Sequence, residues 1–125
     1  MRNSPVKPLI AMRSGIALTT EQAAERLQVT EQTVRNRIRQ GDLIFCSSVR
    51  SRGWLLPHWQ FIGMLPAAVA PWVKPLLAAY GQNGWALVDF LTVPRMDRHG
   101  ANFLSLLLAG DPDPVLAAAR ASNKE

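Results

Sequence analysis

The chain has 125 residues, a length that allows one ordinary domain or two very small ones sharing a core. Charged residues make up 18% and hydrophobic residues 48%, a balance that argues against wholesale disorder. A single cysteine excludes an internal disulfide framework and a cysteine-rich zinc site, and it fits a reducing, cytoplasmic setting. The formal net charge of +5 lies entirely in residues 1–57, because acidic and basic side chains balance in residues 58–125. This asymmetry favours a half that binds a polyanion joined to a half with another role.

Neither the N-terminal segment nor the longest uncharged stretch of the chain predicts a membrane protein. Residues 1–16 are interpreted as a flexible basic arm. They lack the sustained apolar run of a signal peptide. Residues 53–73 contain no Asp, Glu, Lys or Arg and are long enough to span a bilayer. Pro57, Pro66 and Pro71 interrupt that stretch, so we predict a buried core segment and no membrane span.

Capping residues mark two short helices in the first half. Thr19 followed by Gln22 forms a capping box, and Thr30 can cap a second helix that runs to about Gln40. Gly41 then supplies a left-handed stop. Two short strands are predicted next, over 43–46 and 54–56, joined by the polar and basic loop 47–53. A short turn or helix follows from His58.

The second half is rich in Ala and Leu and is predicted to be helical. The expected helices span 72–80, 84–91 (capped by Asn83), 102–109, and a last one that Asp111 or Asp113 caps and that reaches about Ala121. The predicted fold class is therefore mainly α with a small β-hairpin. We divide the chain into the arm 1–16, a winged helix-turn-helix domain over 17–61, and a helical domain for dimerisation or partner binding over 62–125.

The helix pair has the pattern of a helix-turn-helix. Ala24 is small where the second helix must cross closely, and apolar residues on both sides of the turn close a small core. On a helical wheel Val34 and Ile38 point inward, which leaves a polar and basic face outward. Amides pair with adenine edges, whereas guanidinium groups hold phosphates. We predict base readout by Gln32, Thr33 and Asn36, and phosphate contacts by Arg35, Arg37 and Arg39. Any of these arginines could instead reach a guanine. The simpler alternative is an ordinary solvated helix face.

From Leu18 to Pro57 the chain resembles the small winged helix-turn-helix of excisionases and MerR-type regulators. In that family a helix pair is followed by a Gly-Asp/Glu-Leu/Ile step, matched here by Gly41-Asp42-Leu43-Ile44, and by a short basic hairpin. The resemblance implies that Arg50 and Arg52 lie near phosphates or a minor groove; the alternative is that they only keep an edge hairpin soluble. One departure is Gln28, which stands where the turn often has glycine.

Residues 59–121 resemble the C-terminal toxin-binding domain of Xre/MbcA/ParS-type antitoxins. The order of Trp85-Ala86, Asp89-Phe90-Leu91, Leu104-Ser105-Leu106-Leu107, Gly110-Asp111 and a final Val/Leu/Ala helix carries this resemblance. It implies that this half binds a cognate toxin or a second copy of the chain. The start of the Leu-Leu helix departs from the family, and the aromatic and leucine residues also fit a plain core.

No enzymatic pattern is present. The two histidines have no metal-ligand spacing, and Cys46 lies in an apolar strand. We therefore predict no catalytic residues, no metal and no cofactor. The predicted function is a cytoplasmic, sequence-specific regulator that binds double-stranded DNA as a homodimer, in the manner of an antitoxin-like autorepressor. A phage or plasmid regulator, an excisionase-like architectural protein, and an adaptor whose basic half binds RNA or nothing remain as alternatives.

Overall fold

The computed structural model describes residues 17–48, 53–95 and 101–123, and within these ranges the fold is mainly helical, as predicted. The helices are α1 Thr20–Leu27, α2 Glu31–Arg39, α3 Val73–Tyr80, α4 Trp85–Thr92, α5 Phe103–Leu108 and α6 Asp113–Asn123. The strands are β1 Ala17–Leu18, β2 Cys46–Ser48, β3 Gly53–Pro57, β4 Phe61–Ile62 and β5 Ala68–Val69, with a 3₁₀ helix at His58–Gln60. The predicted arm 1–16 lies outside the described residues.

Side chains just before α1 and α2 accept hydrogen bonds from free backbone N–H groups at the start of each helix, as predicted. The Thr19 hydroxyl accepts from the Gln22 amide at 3.1 Å, and the Gln22 side chain accepts from the Thr19 amide at 2.9 Å. At α2 the Thr30 hydroxyl accepts from the Thr33 amide at 3.1 Å. Gly41, with φ +79°, ends that helix in the left-handed region. Interactions between residues close in the chain thus determine where these two helices begin and where α2 ends.

The turn between α1 and α2 passes through a left-handed residue that is not glycine. Gln28 has φ 60° and ψ 46°, a conformation that costs a residue with a Cβ about 1 kcal/mol. The Gln28 side chain donates to the Glu25 carbonyl at 2.7 Å, and the next amide, of Val29, bonds the Ala24 carbonyl at 3.0 Å. The glycine-like backbone of this turn is therefore retained without glycine.

A three-stranded antiparallel sheet in the order β1-β3-β2 packs beside the helix pair. In the hairpin, Cys46 pairs with Leu55 and Ser48 with Gly53. The strand predicted over 43–46 is therefore wrong in its bounds, since pairing begins only at Cys46. The reason is that the side chains of Gln60 and Asn83, and no neighbouring strand, bond the backbone of Ile44 and the carbonyl of Leu43.

Two hydrophobic clusters divide the core. One contains Leu18, Leu27, Val34 and Leu56 with the rest of the helix-turn-helix, and the other is built from α3 to α6, with α3 packed along α6. The chain crosses between them at the adjacent residues 43 and 44, because Leu43 belongs to the first cluster and Ile44 to the second. The predicted domain boundary at 61/62 stays a prediction.

The hairpin of β4 and β5 was not anticipated. Phe61 pairs with Val69 and Ile62 with Ala68. The prediction that this uncharged stretch is a buried core segment is wrong at the tip of the hairpin, where Met64 and Leu65 are 87% and 65% exposed. The amide of Ala67 donates to the Arg26 carbonyl at 2.8 Å and so fixes this hairpin to the end of α1. Among the described residues, no helix has the length and apolarity needed to cross a membrane.

One helix cap predicted in the second half is wrong. The residue that precedes α4 is Gly84, with φ +118°, and no side chain caps the helix. Asn83 instead bonds the backbone of residues 43 and 45, which lie in the first half of the chain. By contrast, α5 has a side-chain cap, since Asn102 accepts from the Ser105 amide at 2.9 Å.

Candidate nucleic-acid interface

Helix α2 has one buried and one exposed side. Val34 and Ile38 are 0% and 4% exposed and close the core beneath α1. The remaining residues of the helix and its cap are turned away from this core to different degrees. Gln32, Asn36, Arg39 and Gln40 are exposed, whereas Thr33, Arg35 and Arg37 are half-buried. The six candidate residues on α2 thus all lie outside the core.

Two amide side chains form a unit on the exposed side of α2. The Gln32 Nε2 donates to the Asn36 Oδ1 at 3.0 Å, one helical turn apart. This bond leaves the Asn36 NH₂ group and the Gln32 carbonyl oxygen able to bind other partners. Together they present a donor beside an acceptor, which is the combination that an adenine edge requires.

Thr33 is engaged at the start of α2. Its hydroxyl lies 2.9 Å from the Thr30 hydroxyl, and its amide donates to that same oxygen. The Thr33 side chain therefore belongs to the cap of the helix as much as to the exposed face. A hydroxyl in this position can still accept or donate one further hydrogen bond.

The arginines of α2 differ in their surroundings. Arg35 donates from Nη2 to Glu31 Oε1 at 3.0 Å, and the Thr20 hydroxyl donates to the same carboxylate oxygen at 3.4 Å. This half-exposed pair holds Arg35 along the helix, although exposed i,i+4 pairs add only about 0.3–0.5 kcal/mol to stability. Arg37 and Arg39 lie in the last turn, where positive charge also complements the helix dipole.

The hairpin is joined to α2 through an aromatic residue that sequence reasoning missed. The Arg39 guanidinium lies 5.9 Å from the ring centroid of Trp54 in β3. Trp54 in turn packs against Phe45, with ring centroids 5.2 Å apart. The sequence signal that could have identified it is a tryptophan directly after the basic loop, at the start of the next predicted strand.

Arg50 and Arg52 lie outside the described residues. The flanking residues Ser48 and Gly53 pair with each other at the end of the hairpin, and four residues of sequence join them. The proposed roles of these two arginines stay predictions.

Side chains that could together hold a metal ion are not grouped in the part of the chain that the structure describes. No three or more His, Cys, Asp or Glu residues come together there. Cys46 is 2% exposed and packs in the second cluster, which agrees with its interpretation as a core residue.

Comparison with known proteins agrees with this geometry in the first half of the chain. Residues 17–63 match the family model described as a helix-turn-helix domain. Over these residues the structure contains a capped helix pair, a left-handed turn and a hairpin. Helix-turn-helix domains bind DNA, and this region has the elements of the predicted excisionase-like module. No curated protein and no solved structure shows significant similarity to the chain. The family match ends before α3, so the antitoxin resemblance of the second half stays a prediction.

Proposed function

We propose that this chain is a sequence-specific transcriptional regulator that reads DNA with the exposed side of α2. The observation that carries the proposal is the amide pair Gln32–Asn36, placed opposite the buried residues Val34 and Ile38. Base readout is assigned to Gln32, Thr33 and Asn36. The paired amides are already oriented by each other, so less side-chain freedom is lost when they meet a base edge.

Affinity in this proposal comes from the basic side chains around the amide pair. Phosphate or groove contacts are assigned to Arg35, Arg37, Arg39, Arg50 and Arg52. All of the net positive charge of the chain lies in residues 1–57, which supports this assignment. Neutralising phosphates releases counterions, so binding must weaken as the salt concentration rises.

The test is fluorescence anisotropy of the full chain on the DNA upstream of its own gene and on a scrambled duplex. We expect Asn36→Ala to weaken binding to the upstream duplex alone, by about tenfold or more. Arg35→Ala should weaken binding to both duplexes and flatten the salt dependence by about one unit of slope. Arg120→Ala, which removes an exposed arginine from α6, is the matched control. Equal and weak binding of the wild type to both duplexes would contradict base readout.

We further propose that the regulator acts as a homodimer. One recognition helix makes too few base contacts for tight specific binding, whereas two helices on a two-fold site double them. The turn between β4 and β5 supplies apolar surface for a second copy: Ile62, Met64 and Leu65 are 46%, 87% and 65% exposed. Light scattering should show a dimer that Met64→Lys converts to a monomer. Leu108→Lys, at the other exposed large apolar side chain among the described residues, is the control.

More specifically, we propose that this regulator is an antitoxin-like autorepressor whose second half binds a toxin. The proposal is supported by the hydrophobic cluster that contains most of the buried residues of α3 to α6. Co-expression with the product of an adjacent toxin-sized gene should give a stable complex and relieve growth arrest. The competing candidate is a phage or plasmid regulator, or an excisionase-like protein that bends DNA. An adjacent integrase gene and a bend measured by circular permutation would favour that candidate.

A further inference from the structure

The backbone of residues 43–47, which leads from α2 into β2, is held by side chains from beyond residue 59. On one side Gln60 accepts from the Ile44 amide and donates to the Ile44 carbonyl, both at 2.7 Å. Gln60 is completely buried. A single side chain thus replaces the strand that would pair with this residue.

The opposite edge of the same segment is held from the second half of the chain. The Asn83 Nδ2 donates to the Leu43 carbonyl at 2.8 Å, and its Oδ1 accepts from the Phe45 amide at 3.1 Å. Farther along, Trp85 Nε1 donates to the Ser47 carbonyl at 2.9 Å. Asn83 and Trp85 thus bond residues 43, 45 and 47, whereas Gln60 bonds residue 44, so the two sets of bonds alternate along this segment.

This edge belongs to the strand that carries the hairpin. Among the residues that the structure describes, the sheet order is β1-β3-β2, so β2 is the outermost strand and no further strand pairs with it. Asn83 and Trp85 therefore act as a substitute for a fourth strand. Without them, residues 43–47 keep only the bonds on the side of β3 and Gln60, and the free edge must be hydrated.

The held segment is in contact with the proposed DNA-binding surface. Phe45 packs on Trp54, and Trp54 lies beneath Arg39 at the end of α2. A shift of residue 45 must move the Trp54 ring or open a gap beside it, because both rings are part of close packing. The position of Phe45 is thus coupled to that of Arg39 and of the hairpin.

We propose that Asn83, assisted by Trp85, is a positioning residue for DNA binding. It fixes the β2–β3 hairpin against α2 in the orientation in which Arg39 and the hairpin meet DNA together. Asn83 makes no DNA contact in this proposal and acts through Phe45. The inference rests on the proposed DNA-binding function, and it gives the helical half a direct part in that function.

The test compares Asn83→Ala with a matched asparagine in the full chain. Asn102 also makes one donated and one accepted bond to backbone, at 3.2 Å to the Thr92 carbonyl and 2.9 Å from the Ser105 amide. Both of its bonds lie within the helical half, far along the chain from β2. Asn102→Ala therefore reproduces the loss of stability without releasing residues 43–47. Trp85→Phe is a milder variant that keeps an aromatic ring, removes the N–H donor and reduces the size of the ring.

Three quantities are measured at a temperature where every variant is folded: affinity for the upstream duplex, its salt slope, and hydrogen exchange at the Phe45 amide. Asn83→Ala is expected to bind about tenfold more weakly and to lose about one unit of salt slope. Trp85→Phe should weaken binding about threefold, and Asn102→Ala should remain within about twofold of the wild type. Exchange at Phe45 should accelerate in Asn83→Ala alone.

The outcomes separate this proposal from the one on which it rests. If the wild type binds the upstream duplex and the two asparagine variants lose affinity equally, Asn83 has only a structural role and the positioning proposal is overturned. An unchanged salt slope in Asn83→Ala overturns it as well. If the wild type binds neither duplex, the proposed function fails, and the positioning role fails with it.

Discussion

The two halves of the molecule are stabilised in different ways. In the helix-turn-helix, Thr19 and Thr30 cap the helices with their own side chains, and the outer surface is polar and basic. In the helical half, α3 and α4 begin without a side-chain cap, at Trp72 and Gly84, and rely on the burial of apolar faces. The first half therefore has a polar, basic surface and helices capped by local side chains, whereas the second half is stabilised mainly by its hydrophobic core.

The largest expected effect tests whether the halves fold as one unit. Leu76→Ala in the second cluster and Leu56→Ala in the first should each lower the free energy of unfolding by about 2–5 kcal/mol, since both side chains are fully buried. We expect one transition in both variants, because the neighbouring residues Leu43 and Ile44 lie in different clusters. Urea unfolding followed by far-UV circular dichroism and by tryptophan fluorescence measures this. Two separate transitions in Leu76→Ala would show that the halves unfold independently.

The next effect concerns the buried hydrogen bonds between Gln60 and the backbone of Ile44. Gln60→Met keeps the volume of the side chain but leaves the amide and carbonyl of Ile44 and the carbonyl of Pro57 without that partner. We expect a loss of about 2–3 kcal/mol, because these groups are buried. Gln82→Met, at an exposed glutamine, is the matched control and should change stability by less than about 0.5 kcal/mol. Equal midpoints of the two variants in urea would contradict this account of Gln60.

A smaller effect of opposite sign is expected in the turn of the helix-turn-helix. Gln28→Gly removes the strain of a left-handed residue and should raise stability by about 0.5–1 kcal/mol, despite the loss of the side-chain bond to Glu25. Gln40→Gly is the same substitution at a residue with φ −81°, and it should lower stability. Thermal unfolding of both variants measures the difference. A lower melting temperature for Gln28→Gly would mean that its local hydrogen bond outweighs the strain.

The smallest effect on stability is expected at the exposed ion pair of α2. Glu31→Gln should change the free energy of unfolding by less than about 0.5 kcal/mol, since the pair with Arg35 is half-exposed. DNA affinity should nevertheless rise about threefold, because Arg35 no longer shares its charge with a carboxylate. Glu25→Gln on α1 removes the same charge elsewhere in this half. An equal rise in both variants would attribute the gain to overall charge and not to Arg35.

The elements that sequence reasoning predicted well depend on neighbours a few residues away. Capping of α1 joins residues three apart, and the inward position of Val34 and Ile38 follows from helical periodicity. The position of the left-handed turn residue, Gln28, was indicated only by the excisionase and MerR resemblance, in which this turn often has glycine. The same local logic placed the six candidate residues of α2 outside the core, although their contacts with DNA stay a proposal.

Tertiary structure decided the interactions that join distant parts of the chain. Gln60 bonds a residue 16 positions away, and Asn83 bonds backbone 38 and 40 positions away. Asparagine before a glycine is a common helix cap, so its local pattern gave the wrong role for Asn83. The amino-acid sequence alone determined the polar, capped surface of the first half, because those interactions are local. Only the packed structure decided which side chains hold residues 43–47, because unsatisfied backbone groups take whichever partner the fold brings near.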